Sequence, residues 1–448
     1  MGNINCIHLR RKKKKNRLSK KKNITGAPFF THSKDHESIM EEEEELTPTV
    51  EDRSIPMETD NNIVSLPQRS RHFEYHRVTN LTYAIPRGYD ISEMEYLGGG
   101  SYGNVIKAKT RTREGEQEIV VAIKKMSQPF GSINNARRVF RELRLLQLMR
   151  HSNIIRAVDI YTPNTDFASF EDVYVVTEYA GHSLYEVMKN QRECGKILLQ
   201  LEHIKFILYQ LLRGLKYIHS ASVMHRDLKP SNLSLTSSCD LTVLDFGLAR
   251  TVENGTHGMS TYVMTRWYRS PEVIYWKIGN YDKQADVWSV GCIAAEMMMN
   301  RPLFPGESQN SQYDMITMLC GCPDNELLEK IEENHNAKMR EVIERASLHR
   351  SRQNFYTYFR KYNPDLPDDA IDFLDKVLHL DPDRRLTVEQ ALQHPYLVEY
   401  YDDSDEPTVS EPFNLLDDNE ERTIDEWKSN IWDEIQNFTG ESFSPPFL

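Results

Sequence analysis

The stretch His225-Arg226-Asp227-Leu228-Lys229-Pro230-Ser231-Asn232, followed by Asp245-Phe246-Gly247, constrains this chain more than any other. It gathers two carboxylates, an ammonium and an amide in one short span. Phosphoryl transfer asks for little covalent help. It needs a carboxylate beside the attacking hydroxyl and metal ions on the phosphates, all held in place. Asp227 is suited to take a hydroxyl proton. Asn232 and Asp245 offer oxygen ligands of the kind Mg²⁺ takes. Whatever fold the chain adopts must bring these groups to one point, and the rest reads as feeding or controlling it.

The strand-like Ile119-Val120-Val121-Ala122-Ile123-Lys124 ends on a lysine. An ammonium at the end of a buried strand is expensive unless paired. Glu142 follows eighteen residues later. It stands beside the helical stripe Val139, Leu143, Leu146 and Met149, so it faces inward and is the expected partner. Upstream, Leu97-Gly98-Gly99-Gly100-Ser101-Tyr102-Gly103-Asn104-Val105 fits Gly-x-Gly-x-x-Gly-x-Val. Glycines there let backbone N–H groups approach phosphates. Alone the pattern is a weak signal, but in series with Lys124 and Glu142 it gains weight.

Asp172 to Thr177 reads as another apolar strand, broken by Glu178-Tyr179-Ala180-Gly181, where a hinge between two lobes belongs. Leu201 to His219 reads as a helix with Ile204, Leu208, Leu211, Leu215 and Ile218 on one face. Leu241 to Leu244 is a short strand delivering Asp245.

These segments, in this order, resemble a eukaryotic protein kinase domain spanning Ile91 to Leu397. Ser270-Pro271-Glu272 completes the set. The resemblance implies an α+β, bilobal fold with ATP and Mg²⁺ between a β-rich N-lobe (91–180) and a mainly helical C-lobe (181–397). It implies that Asp227 is the catalytic base and that Lys229 steadies the γ-phosphate. Lys124 holds the α- and β-phosphates and pairs with Glu142. Asn232 and Asp245 bind metal. The loop 97–105, Glu178 and Ala180 contact the nucleotide. Asp286 anchors the catalytic loop and Arg385 pairs with Glu272. The rival reading, a kinase-fold scaffold without chemistry, is opposed by the presence of Lys124, Glu142, Asp227, Asn232 and Asp245 together.

Thr265-Arg266-Trp267-Tyr268-Arg269 and Arg301 to Gly306, with the long insert over about 306–352, resemble MAP kinases. Arg141 to Leu146 and Thr423 to Lys428 resemble the stress-activated class. The resemblance implies Ser/Thr-Pro substrates and an upstream dual-specificity kinase acting on Thr-Gly-Tyr. Here Ser260-Thr261-Tyr262 stands in that place. Phosphates at 260 and 262 would recruit arginines such as Arg226, Arg266 and Arg269, and Thr261 is a competing acceptor. Two smaller departures are Ser270, where Ala is usual, and Ser183, where the family often has an acidic ribose contact. The acidic run Asp402, Asp403, Asp405 and Glu406 sits where MAP kinases dock the basic motifs of activators, substrates and phosphatases. Thr423-x-x-Glu426 is a capping box, followed by Ile424, Trp427, Ile431, Ile435 and Phe438 on one helical face. The family implies that this helix packs back on the small lobe.

Charge is uneven. Residues 1–34 hold eleven Lys/Arg and no Asp/Glu, leaving −23 on the remainder against a total of −12. Such a basic arm is expected to be disordered, with residues 35–90 as a linker. The arm reads first as a solvated tail, and otherwise as a nuclear localisation signal or, with Gly2 and Cys6 acylated, a membrane tether. No apolar run of about eighteen residues occurs, and the six scattered cysteines suit a reducing compartment. Cytoplasm and nucleus are the expected locations, without direct nucleic-acid binding.

Overall fold

The computed structural model describes residues 71–100, 103–111, 118–251, 266–276, 283–334, 337–347, 350–415 and 421–438. The basic arm, Ser101, Tyr102 and Ser260 to Tyr262 lie outside the described residues.

The chain opens with a hairpin of β1 (Phe73–Val78) and β2 (Leu81–Pro86). This falls inside the span read as linker and corrects that boundary. Its charged and polar residues hide a buried edge, Tyr83-Ala84-Ile85, each no more than 2% exposed. Only the sheet beneath supplies the partner surface, so the segment alone carries no signal. Arg71 fastens its start by a buried pair with Asp159 at 2.7 Å.

The N-lobe sheet comprises β3 (Asp90–Gly100), β4 (Gly103–Arg111), β5 (Glu118–Met126), β6 (Ala157–Tyr161) and β7 (Tyr174–Glu178). They run antiparallel in the order β3-β4-β5-β7-β6. Period-two alternation divides the faces. Ile106, Ala108, Val121, Ile123, Tyr174 and Val176 meet the hairpin. Val173 and Val175 turn to the other side, toward α1 (Ile133–Leu148). Ser132 caps α1 by accepting the Asn135 N–H, and its stripe Val139, Leu143 and Leu146 is buried. Glu142 is buried as well, at 4% exposure.

The C-lobe is mainly helical. It begins with β8 (His182–Ser183) and α2 (Leu184–Cys194), then α3 (Leu201–Ser220). The predicted stripe of α3, from Ile204 to Ile218, is buried. Short strands β9 (Val223–Met224), β10 (Leu233–Leu235), β11 (Leu241–Val243) and β12 (Arg250–Thr251) carry the catalytic loop between them. They form two small sheets, β8-β10-β11 and β9-β12. Helix α4 (Gln284–Met299) is buried along its length, which suits its apolar sequence.

Helices α5 (Gln309–Cys320), α6 (Asn325–Asn334) and α7 (Ala337–Ser347) build the polar insert. Helices α8 (Phe355–Arg360), α9 (Asp368–Val377) and α10 (Val388–Leu392) complete the lobe. The last described helix, α11 (Ile424–Gln436), has the predicted capping box and packs on α1 of the small lobe through Trp427 and Phe140. Among the described residues no helix is long and apolar enough to cross a membrane.

Candidate active site

The catalytic loop is tied down from below. Asp286 on α4 is 1% exposed, and its two carboxylate oxygens accept the backbone N–H groups of Arg226 at 2.8 Å and His225 at 2.9 Å. His219 approaches the same carboxylate at 3.0 Å. Burial works against the Asp286 charge, but His219 and the other donors outweigh it and hold its pKa below the usual carboxylate range. These bonds stabilise an awkward backbone, because Arg226 has φ +67°, a region costly for a residue with a Cβ. His225 spans to the next strand by a contact of 2.9 Å to the Leu244 carbonyl. Sequence reasoning placed Asp286 but missed His219, which carries no local signal.

Asp227 projects from this braced loop. Lys229 Nζ donates to its Oδ2 at 2.6 Å, and Asn232 Nδ2 donates to its Oδ2 and to its carbonyl, each at 2.9 Å. Burial lifts the Asp227 pKa above the ordinary carboxylate value, and Lys229 only partly offsets this. A more basic carboxylate is the better proton acceptor near neutral pH.

Lys124, on β5, meets Glu142 Oε1 at 2.5 Å and lies 3.9 Å from Asp245 Oδ1. Burial disfavours the ammonium, yet Glu142 and Asp245 together hold the lysine above its usual pKa. Glu142 is pushed up by burial, with Lys124 pulling the other way. Both shifts reflect one desolvated pair, which we read as ionised because its contact is direct. Asp245 has φ +60° and accepts the Gly247 N–H at 3.1 Å. Burial opposes its charge, but Lys124 and that N–H hold its pKa low, so it presents an anion. Phe246 is fully buried, its ring 5.3 Å from His225.

The glycine-rich segment is the β3–β4 hairpin, with Gly99 opposite Asn104 and Val105 opposite Lys124. Leu97, Gly98 and Val105 are half-buried, and Gly100 pairs with Gly103 at the described ends of the hairpin. Gly103 has φ +158°, and a Cβ there would sit 2.6 Å from the Lys125 carbonyl oxygen. Glu178 ends β7 and Ala180 follows it. Between them the Tyr179 N–H is spent on the Val120 carbonyl at 3.0 Å. Gly181 has φ +94°, and a Cβ would come within 2.2 Å of the Leu235 carbonyl oxygen, so the hinge closes directly on β10. Ser183 uses its hydroxyl to cap α2, accepting the Glu186 N–H at 3.2 Å.

These residues suit nucleotide and metal. Asn232 spends its amide N–H groups on Asp227, which leaves its side-chain carbonyl oxygen as a ligand atom. Among the described residues no three His, Cys, Asp or Glu side chains cluster as a metal cage. A metal held by Asn232 and Asp245 would neutralise phosphate charge, while Lys124 and Lys229 supply positive charge from the chain itself.

Arg385 is fully buried and forks onto Glu272 at 2.8 and 3.1 Å, the pairing the resemblance implied. Ser270 is 1% exposed, and among the described residues its hydroxyl has no hydrogen-bond partner.

The acidic run divides. The Asp403 side chain is 80% exposed and lies 3.5 Å from Lys216 of α3, and that of Asp405 is 56% exposed and lies 3.2 Å from Arg213. Asp402 caps the turn through the Ser404 N–H. The Glu406 side chain, by contrast, is fully buried and pairs with Lys216 at 2.9 Å. Its expected place among exposed docking residues is therefore corrected: α3 draws it inside, where it neutralises a lysine.

The Protein kinase domain family model matches residues 91–397. The chain is 53% identical over 392 residues to mitogen-activated protein kinase pmk-3 of Caenorhabditis elegans, covering 87% of this chain and 81% of that protein. It is 41% identical over 367 residues to mitogen-activated protein kinase 14 of Xenopus laevis, covering 81% and 94%. To mitogen-activated protein kinase p38a of Drosophila melanogaster it is 41% identical over 365 residues, covering 81% and 93%. The braced Asp227, the Lys124–Glu142 pair and these similarities converge: the chain belongs to the protein kinase family, among its mitogen-activated Ser/Thr kinases, which use ATP and a divalent metal.

Proposed function

We propose that this enzyme phosphorylates Ser or Thr followed by Pro on protein substrates, within a stress-type MAP kinase cascade. The observation that carries the chemistry is the Asp227 carboxylate, raised in basicity by burial and oriented by Lys229 and Asn232. Similarity to mitogen-activated protein kinases, one of them named p38a, supports the cascade. Mg²⁺ is the metal that suits two protein oxygens and a set of phosphates.

Activation proceeds by phosphorylation of the loop at Ser260 and Tyr262, with Thr261 as a further acceptor, by an upstream dual-specificity kinase. New phosphates would draw on Arg226, Arg266 and Arg269. Activators, substrates and phosphatases dock basic segments on Asp402, Asp403 and Asp405. The enzyme works in cytoplasm and nucleus, and acylation at Gly2 and Cys6 followed by the polybasic block tethers a fraction to membrane.

The test compares turnover of a Ser-Pro peptide with its Ser-Ala counterpart, after activation, for wild type and Asp227→Ala. Loss of rate in the variant and a strong preference for Ser-Pro are expected. Equal rates on the two peptides would end the Pro-directed reading. Unchanged membrane fractionation of Gly2→Ala would end the tether.

A further inference from the structure

Helix α11 backs α1 on the side away from the active site. Phe140, Arg144 and Gln147 follow at steps of four and three residues, so they share one stripe of α1. Glu142 stands two residues from both Phe140 and Arg144, about 200° round the helix. One face therefore meets Lys124 and the opposite face meets α11.

The contacts on that back face are specific. Trp427, 1% exposed, packs on Phe140 with ring centroids 5.4 Å apart. Glu434 pairs with Arg144 at 3.1 Å and accepts from Gln147 Nε2 at 2.9 Å. Helix α11 is also pinned to its surroundings. Lys428 Nζ lies 5.5 Å from the ring centroids of Phe130 and Phe167 and 6.0 Å from that of Phe170. Trp432 meets Phe167 and Phe170 edge-on. The ammonium is held by ring faces, a cation–π arrangement. Phe130 precedes α1, and Phe167 and Phe170 lie between β6 and β7. Glu434 thus acts from a fixed platform.

Rotation decides whether Glu142 works. Side chains ride at a radius of about 5–6 Å, so a roll of about 30° moves a carboxylate by ~3 Å. That would break the 2.5 Å contact with Lys124. We propose that Glu434 is a positioning residue for phosphoryl transfer: through Arg144 and Gln147 it holds α1 at the rotation that presents Glu142 to Lys124. The inference rests on the kinase reaction and not on the choice of substrate.

The experiment uses the full chain, activated identically, with loop phosphate occupancy matched by intact mass. Glu434→Ala should lower kcat by about fivefold, at the small end of coupling between distinct sites. KM for the peptide should be unchanged, and amide exchange should quicken in residues 137–148 but not in α3. The exchanged pair Arg144→Glu with Glu434→Arg should recover kcat to within about twofold, since the Gln147 amide can turn to either charge. A kcat for Glu434→Ala within about twofold of wild type, or an exchanged pair as slow as the single variant, overturns the proposal. If Glu434→Ala does not fold, Glu434→Gln, which keeps the Gln147 contact but loses the charge, is read by the same criteria. If wild type does not turn over the Ser-Pro peptide, the substrate reading fails. Exchange in 137–148 then still decides the brace, and no change there overturns it.

Discussion

Lys229 Nζ stands 2.6 Å from Asp227 Oδ2 and pulls down a carboxyl that burial pushes up. The acid limb of kcat reports this balance. Asp227 accepts a proton only when ionised, so activity is present above its raised pKa and lost as pH falls through it. Removing the ammonium in Lys229→Met should move that limb to higher pH as well as lower kcat. Asp227→Ala should lower kcat by about 10²- to 10⁴-fold, the usual worth of a general base. A pH–rate series on the activated enzyme and both variants checks this. An unmoved limb in Lys229→Met sinks the assignment.

Glu178 at the hinge is raised by burial from 4.5 to about 7, with Arg156 opposing. Below pH 4.5 both folded and unfolded forms carry the proton, and the shift has no effect on stability. As pH rises from there to about 7, the unfolded chain ionises first and stability falls. Glu178→Gln lacks this penalty. It should be more stable than wild type by about 1–2 kcal/mol at pH 8, less than the full shift because solvent screens a partly exposed side chain. Melting curves at pH 4.5 and 8 should show the gap opening only at the higher pH.

Ser270 buries a hydroxyl that has no partner among the described residues. Ser270→Ala removes an unsatisfied polar group and leaves no cavity larger than an oxygen. The variant should gain about 1 kcal/mol in urea unfolding with kcat unchanged. A loss of stability would show that the hydroxyl has a role the geometry does not reveal.

Asp403 and Glu406, three residues apart, should behave oppositely. Asp403→Ala removes an exposed charge and should weaken binding of a basic peptide at low salt, with a change in stability within about 0.5 kcal/mol. Glu406→Ala removes the buried partner of the Lys216 ammonium, leaves it only the exposed Asp403 carboxylate at 3.5 Å, and should destabilise by about 1–2 kcal/mol. Calorimetric binding and thermal melts on the two variants separate docking from support.

What was legible in the sequence was local. Asp227, Asn232 and Asp245 announce themselves because chemistry demands those groups at close spacing. Lys124 and Glu142 could be paired because a strand-end lysine and an inward helical glutamate each need a partner. The hairpin Phe73–Val78 with Leu81–Pro86 was not legible, since its buried edge has meaning only against a sheet built later in the chain. The burial of Glu406 was hidden for the same reason: an acidic run reads as exposed until α3 brings Lys216 beneath it. His219 and the left-handed Arg226 likewise depend on where Asp286 ends up, far along the chain.

The packing of Trp427 on Phe140 also sets an order in time. Synthesis runs from the N-terminus at about 5–20 residues per second, so the end of α11 follows the end of α1, 288 residues earlier, by roughly 15 to 60 seconds. Throughout that interval Phe140 lacks the Trp427 ring, and Glu142 sits on a helix without α11 behind it. A growing chain therefore leaves the α11-facing side of α1 bare until its C-terminal segment is made, and the small lobe takes its final packing only then.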